Sequence, residues 1–142
     1  MKKPAKKNPP RKTPKRPSIA KIPPSRARLL LVEDNDATRE SVRKLLTARN
    51  FDVKAASSVA DAWALISETK FDVLISDIGL PDGDGYLLMR ELKDRFGITG
   101  IALTGYDLED DIKLSKEAGF SIHVTKPVRA GLLDEALASL GI

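Results

Sequence analysis

Residues 72–77 read DVLISD, a short apolar run framed by aspartates, and residues 78–85 read IGLPDGDG, a stretch of turn formers. A run this short and this continuous, stopped by glycine and proline, is the pattern of a strand covered on both faces. Working outward, the same alternation repeats. On the N-terminal side, "SVADAWALISET" (58–69) is helical after a Ser58 cap, and "FDVKAA" (51–56) alternates apolar and polar as an edge strand does. Before it, "DATRESVRKLLTARN" (36–50) sets Val42, Leu45, Leu46 and Arg49 at helical spacing after Asp36, an expected N-cap. "RLLLVE" (28–33) is a second apolar strand. On the C-terminal side come the helix "DGYLLMRELKDRF" (84–96), stopped at Gly97, and the strand "TGIALT" (99–104). Then follow the helix "LEDDIKLSKEA" (108–118), ended by Gly119, the strand "SIHVT" (121–125) and the helix "RAGLLDEALASL" (129–140).

Five strands alternating with five helices over about 114 residues predict an α/β fold with a doubly wound parallel sheet. Strands that run in one direction end on one edge, and ligands of such sheets bind along that edge. Four of the ends carry polar groups. Strand 1 ends in Glu33-Asp34, strand 3 in Asp77, strand 4 in Thr104, and strand 5 is followed by Lys126-Pro127. A strand order of 2-1-3-4-5 sets strands 1 and 3 side by side and brings Glu33, Asp34 and Asp77 together. Such carboxylates repel and raise one another's pKa unless a cation joins them. Mg²⁺ suits the role, because it prefers oxygen ligands and takes one or two carboxylates together with a phosphate oxygen.

The remaining groups suit a phosphoryl ligand. Lys126 offers an ammonium, Thr104 a hydroxyl, and Asp77 a carboxylate nucleophile able to form an acyl phosphate without a general base. Each residue also has an ordinary reading. Asp34 or Asp36 can be a helix cap, Thr104 before Gly105 a turn, and Lys126 a solvated side chain. What favours the functional reading is that all of them fall on one edge.

Composition narrows the field. The 142 residues hold 24 Lys+Arg against 20 Asp+Glu, a net +4 that hides a division. Residues 1–28 carry 11 basic residues and no acid, so the rest holds 13 basic and 20 acidic residues, a net −7. Seven of the nine prolines lie in the first 24 residues. Residues 1–26 are therefore expected to form a disordered basic tail, and residues 27–142 the folded domain. The tail reads either as a linker or as an electrostatic contact for nucleic acid or an acidic partner; it has no aromatic residue for base stacking. With no cysteine and one histidine, disulfide scaffolds, thiol nucleophiles, Cys-ligated zinc, multi-His metal sites and a Ser-His pair are excluded. No apolar run approaches the ~20 residues of a membrane span, and the N-terminus lacks the apolar stretch of a secretory signal. A soluble, cytoplasmic protein without membrane contact is expected.

From about Arg28 to Leu140 the chain resembles the receiver domain of two-component response regulators, a flavodoxin-like fold. "LLLVEDND", "DVLISDIGLPDGDG", "IALTG" and "HVTKPV" match that family's signature blocks in order and spacing. The resemblance implies that Asp77 accepts a phosphoryl group from a sensor histidine kinase or a His-phosphotransfer protein. It implies Mg²⁺ held directly by Asp34, Asp77 and the backbone carbonyl of Gly79, with Glu33 acting through a metal-bound water. Thr104 and Lys126 would bind phosphoryl oxygens, the Lys126–Pro127 bond would be cis, Pro81 and Gly85 would shape the loop, and Asp84 would cap the third helix. "DGDG" fails as a calcium loop, because Tyr86 stands at the fifth ligand position counted from Asp82.

The family's switch position, three residues before the lysine, is usually Tyr or Phe; here it is His123. His123 reads either as a smaller, titratable switch residue working with Thr104 or as a half-exposed strand histidine. A non-aromatic residue there is similar to receivers attached to hybrid histidine kinases. Gly79 and Tyr106 occupy the positions where the family tunes hydrolysis, and slow to moderate dephosphorylation is expected. Trp63, Leu65, Ile66, Leu132, Leu133, Leu137 and Leu140 read as core. The expected product is a signalling phosphoacceptor rather than an enzyme; no output domain fits in the remaining residues, so its output is expected to pass through an unidentified downstream protein or through a part of the protein outside this sequence. A Mg²⁺-dependent phosphohydrolase is disfavoured, since Gly79 stands where a second carboxylate would be needed.

Overall fold

A computed structural model describes residues 27–105 and 109–142, with backbone alone for 109–111. The readings made for the tail, for Tyr106 and for Leu108 lie outside the described residues. Five strands, β1 (Arg28–Val32), β2 (Asp52–Ala56), β3 (Val73–Asp77), β4 (Thr99–Thr104) and β5 (Phe120–Thr125), alternate with α1 (Asp36–Ala48), α2 (Val59–Glu68), α3 (Gly85–Phe96), α4 (Glu109–Ala118) and α5 (Ala130–Ser139). The strands form one sheet in the order β2-β1-β3-β4-β5, and every pair is parallel. This is the predicted doubly wound fold, with β2 at an edge.

Alternation along the central strands builds two cores. Leu29 and Leu31 of β1 point to the face that packs against Val42 and Leu46 of α1 and Leu133 and Leu137 of α5. Leu30 and Val32 point to the opposite face, against Ala62 of α2 and Leu88, Met89 and Leu92 of α3. Leu29, Leu30, Leu31 and Val32 are all fully buried, which is why β1 reads as a solid apolar run rather than an alternating one. Arg49, just past the end of α1, makes a forked ion pair with Asp134 of α5 and ties those two helices together.

Local chemistry fixes the helix ends. Ser58 caps α2 by accepting from the Asp61 amide, and Asp84 caps α3 by accepting from the Leu87 amide at 2.7 Å. Gly97 ends α3 in the left-handed region, with φ +68°. One cap differs from expectation. The N-cap of α1 is Asn35, not Asp36: Asn35 is extended, and its Oδ1 accepts from the Thr38 amide at 2.9 Å. Asp36 is already helical and pairs with Arg39 instead. α1 also stops at Ala48, two residues early, because Asn50 takes φ +67°. Leu132 is not core but 47% exposed, since Leu133 and Leu137 already fill the inward stripe of α5.

Candidate functional site

The register sets the site. Val32 of β1 lies opposite Ser76 of β3, so the residues just beyond each strand end, Glu33-Asp34 and Asp77, come together. One oxygen from each of Glu33, Asp34 and Asp77 lies within 4.8 Å of the others. Thr104 ends β4 beside Thr125 of β5, and the Lys126 amide donates to the Thr104 carbonyl at 2.7 Å. The Lys126–Pro127 peptide is cis, as expected.

Glu33 is fully buried. Its Oε2 accepts from the Asn35 amide at 3.0 Å, and its carbonyl accepts from Arg39 Nη1 at 2.9 Å. Its Oε1 lies 2.6 Å from Lys126 Nζ, a close charge contact without a well-directed hydrogen bond. The same ammonium donates to Asp77 Oδ2 at 2.9 Å. Asp77 Oδ1 accepts from the Ile78 amide at 2.7 Å, and the Asp77 carbonyl accepts from the Ser76 hydroxyl at 2.8 Å.

Burial pushes the Glu33 carboxyl up; Lys126 and the Asn35 amide pull it back, Asp77 pushes it further up, and the result stays above the ordinary value. Burial acting alone would depress Lys126, but its contacts with the Glu33 and Asp77 carboxylates outweigh it and hold the ammonium above its ordinary value. One ammonium therefore serves two of three clustered acids. The deficit of positive charge, the three convergent oxygens, and a buried Glu33 Oε1 with no directed donor all fit an oxygen-seeking dication. Asp34 is exposed and approachable from solvent.

The loop after Asp77 is held from three sides. Gly79–Leu80 and Gly83–Asp84 pair as a two-residue antiparallel ribbon, and the Gly85 amide donates to the Ile78 carbonyl at 2.7 Å. A Cβ on Gly85 would stand 2.3 Å from the Asp77 carbonyl oxygen, so only glycine lets this turn sit against the end of β3. Asp82, at the ribbon's tip with Pro81, reaches across to α2. Its Oδ1 accepts from the Val59 amide at 2.8 Å and its Oδ2 from the Ala60 amide at 2.9 Å.

Asp77, Ile78, Gly79, Tyr86, Thr104, Gly105 and Lys126 line a cleft of about 380 Å³. Thr104 is 5% exposed. His123 is not among the lining residues of that cleft; it is half-buried on β5 and lines a groove of about 530 Å³ with Ile112 of α4 and Leu132 of α5. Sequence reasoning missed the Lys126–Glu33 contact, the Arg39 support of the Glu33 backbone, and the Asp82 bridge.

Residues 29–138 match the family model of the response regulator receiver domain. The chain belongs to the response regulator receiver family. Receiver domains are the signalling phosphoacceptors of two-component systems. This receiver domain is similar to the aerobic respiration control protein ArcA of Escherichia coli (strain K12), 36% identical over 99 residues, which cover 70% of this chain and 42% of ArcA. It is similar to the transcriptional regulatory protein AfsQ1 of Streptomyces coelicolor, 31% identical over 112 residues, covering 79% of this chain and 50% of that protein. The chain thus spans half or less of the length of these two relatives. Among solved structures, a receiver domain protein from Clostridium thermocellum superposes with a TM-score of 0.73 at 27% identity, covering 81% of this chain and 94% of that one. The receiver domain of a Pseudomonas aeruginosa PAO1 sensor histidine kinase superposes with a TM-score of 0.72 at 26% identity, covering 82% and 98%; that structure has a magnesium ion coordinated in its active site cleft. No helix among the described residues is long and apolar enough to cross a membrane.

Proposed function

We propose that Asp77 accepts a phosphoryl group from a phosphohistidine, carried by a sensor histidine kinase or a His-phosphotransfer protein, in a Mg²⁺-dependent reaction. The observation that carries this reading is the Lys126 ammonium 2.9 Å from Asp77 Oδ2, at a cleft where two further acids converge. A carboxylate oxygen of Asp77 forms the new P–O bond as the donor's N–P bond breaks. The imidazole leaves with the bonding electron pair, and the product is an acyl phosphate. Lys126 exchanges its Asp77 oxygen for a phosphoryl oxygen, where an ammonium stabilises the charge that develops during transfer. The Thr104 hydroxyl donates to a second phosphoryl oxygen. Asp34, Asp77 and the Gly79 carbonyl would hold Mg²⁺, with Glu33 supporting the ion through water. When bound, the ion offsets the negative charge that acceptor and donor bring together.

In this reading the output is a movement of the β4/β5 face that involves Thr104 and His123 and is read by a downstream protein. Residues 27–142 act as the receiver, and residues 1–26 as a tail. Incubation with Mg²⁺ and acetyl phosphate, read by intact mass, is expected to add one phosphoryl group to the wild type and none to Asp77→Asn. Labelling that persists in Asp77→Asn would assign the acceptor elsewhere. Deleting residues 1–26 is expected to leave the labelling intact. Salt-sensitive retention on DNA that disappears with the same deletion would support the tail as a nucleic-acid contact.

A further inference from the structure

The loop that carries Gly79 does not hang from Asp77 alone. Its ribbon pairs Gly79 with Asp84 and Leu80 with Gly83, so a displacement of the Asp82 tip moves the Gly79 strand with it. The tip is fastened to a separate element. Both carboxylate oxygens of Asp82 are used, one on the Val59 amide and one on the Ala60 amide, at the start of α2. Those bonds hold the Asp82 carboxyl below its ordinary value, so it is charged through the neutral range. Val59 also packs close behind the ribbon, where a Cβ on Gly83 would stand 3.2 Å from Val59 Cγ2. α2 does not depend on Asp82 alone for its first turn, because Ser58 accepts from the third amide, that of Asp61. Asp82 therefore does something that a local cap would not: it fixes the distance between α2 and the loop beside the acceptor.

We propose that Asp82 is a positioning residue for metal capture, holding the Gly79 carbonyl in place for Mg²⁺ by anchoring the loop to the start of α2. This inference rests on the proposed Mg²⁺-dependent function of the Asp77 site. Because coupling between two events is reciprocal, an ion at the acidic site must in turn steady the first turn of α2.

The test measures Mg²⁺ affinity by calorimetry on the full chain for wild type, Asp82→Ala, Asp82→Asn and Ser58→Ala. It also follows amide exchange at Val59 and Ala60 with and without Mg²⁺. Asp82→Ala is expected to weaken Mg²⁺ binding by about tenfold, the lower end of what loss of an outer support does to a metal site. Asp82→Asn keeps one acceptor oxygen and is expected to fall between it and the wild type. Ser58→Ala loosens the same helix without touching the loop and is expected to leave the affinity unchanged. Mg²⁺ should slow exchange at Val59 and Ala60 in the wild type and leave it unaltered in Asp82→Ala. Unchanged affinity in a folded Asp82→Ala, or an equal loss in Ser58→Ala, overturns the positioning role while leaving the Asp77 reading intact. A wild type that binds no Mg²⁺ overturns both. A wild type that binds Mg²⁺ yet gains no phosphoryl group overturns the Asp77 reading alone.

Discussion

Replacing Lys126 by methionine keeps the length of the side chain and removes its charge. In the wild type that ammonium lies 2.6 Å from the fully buried Glu33 Oε1 and 2.9 Å from Asp77 Oδ2. Removing one member of a buried ion pair typically costs about 3–5 kcal/mol, because the partner is left charged in a poor solvent. Lys126 is 25% exposed, so water screens part of the interaction, and we expect a loss of about 2–3 kcal/mol at pH 7.5 without Mg²⁺. The pH dependence has a definite sign. The folded Glu33 pKa is already raised, and losing the lysine raises it further. A carboxyl with a raised folded pKa loses stability as pH climbs from its unfolded value toward its folded one. Lys126 in the wild type contributes stability that is fully present below its ordinary 10.5 and is lost as pH rises through its higher folded value. The penalty of Lys126→Met should therefore be small at pH 4, below the ordinary 4.5 of Glu33, and grow as pH rises above that value. Urea unfolding of both proteins at several pH values, with a chelator present, measures it. A penalty below about 0.5 kcal/mol at pH 7.5, within the range of an ordinary surface change, would refute the claim that Lys126 neutralises a buried acid. So would a penalty that does not vary between pH 4 and pH 7.5. Adding Mg²⁺ should stabilise the variant more than the wild type, since a dication supplies the missing positive charge.

Other outcomes follow from the same geometry. Gly85→Ala must push the turn off the Asp77 carbonyl, which stands 2.3 Å from the new Cβ; a loss of about 2 kcal/mol in urea unfolding is expected, together with slowed acetyl phosphate labelling. Gly79→Asn meets nothing within 4 Å at its Cβ, so stability should stay within about 0.5 kcal/mol while the lifetime of the acyl phosphate shortens, because the amide can orient a water. The Asp82 carboxyl is held below its ordinary 3.8 by the Ala60 and Val59 amides, so its support of α2 is present above that pH and is lost as pH falls through the lower folded value. Acid unfolding of Asp82→Ala should accordingly be less steep below pH 3.8 than that of the wild type.

Much of the site was legible because parallel strands order their ends. Once β1 and β3 are neighbours, Glu33, Asp34 and Asp77 have nowhere to go but together, and solid apolar runs such as Leu29–Val32 announce the neighbours. Asn35 and Asp36 are equally good caps on paper; only the extended backbone at Asn35 decides between them. Lys126 was legible as a cation at this sheet edge but not as the partner of Glu33, because that contact depends on how the loop returns after β5. Leu132 looked like core because a helix's inward stripe is narrower than its apolar content. Asp82 was hidden for a simpler reason: an aspartate between proline and glycine reads as a turn former, and nothing in its neighbours points to a helix more than twenty residues earlier.

The absence of any side chain at residue 85 also constrains design. The turn can lie flush against the Asp77 carbonyl only because nothing projects there, so transplanting the three acids and the lysine onto a foreign parallel sheet would not suffice. The graft would have to travel with its backing, from Ser76 through the first turn of the following helix, or the implanted aspartate would arrive without the wall behind it.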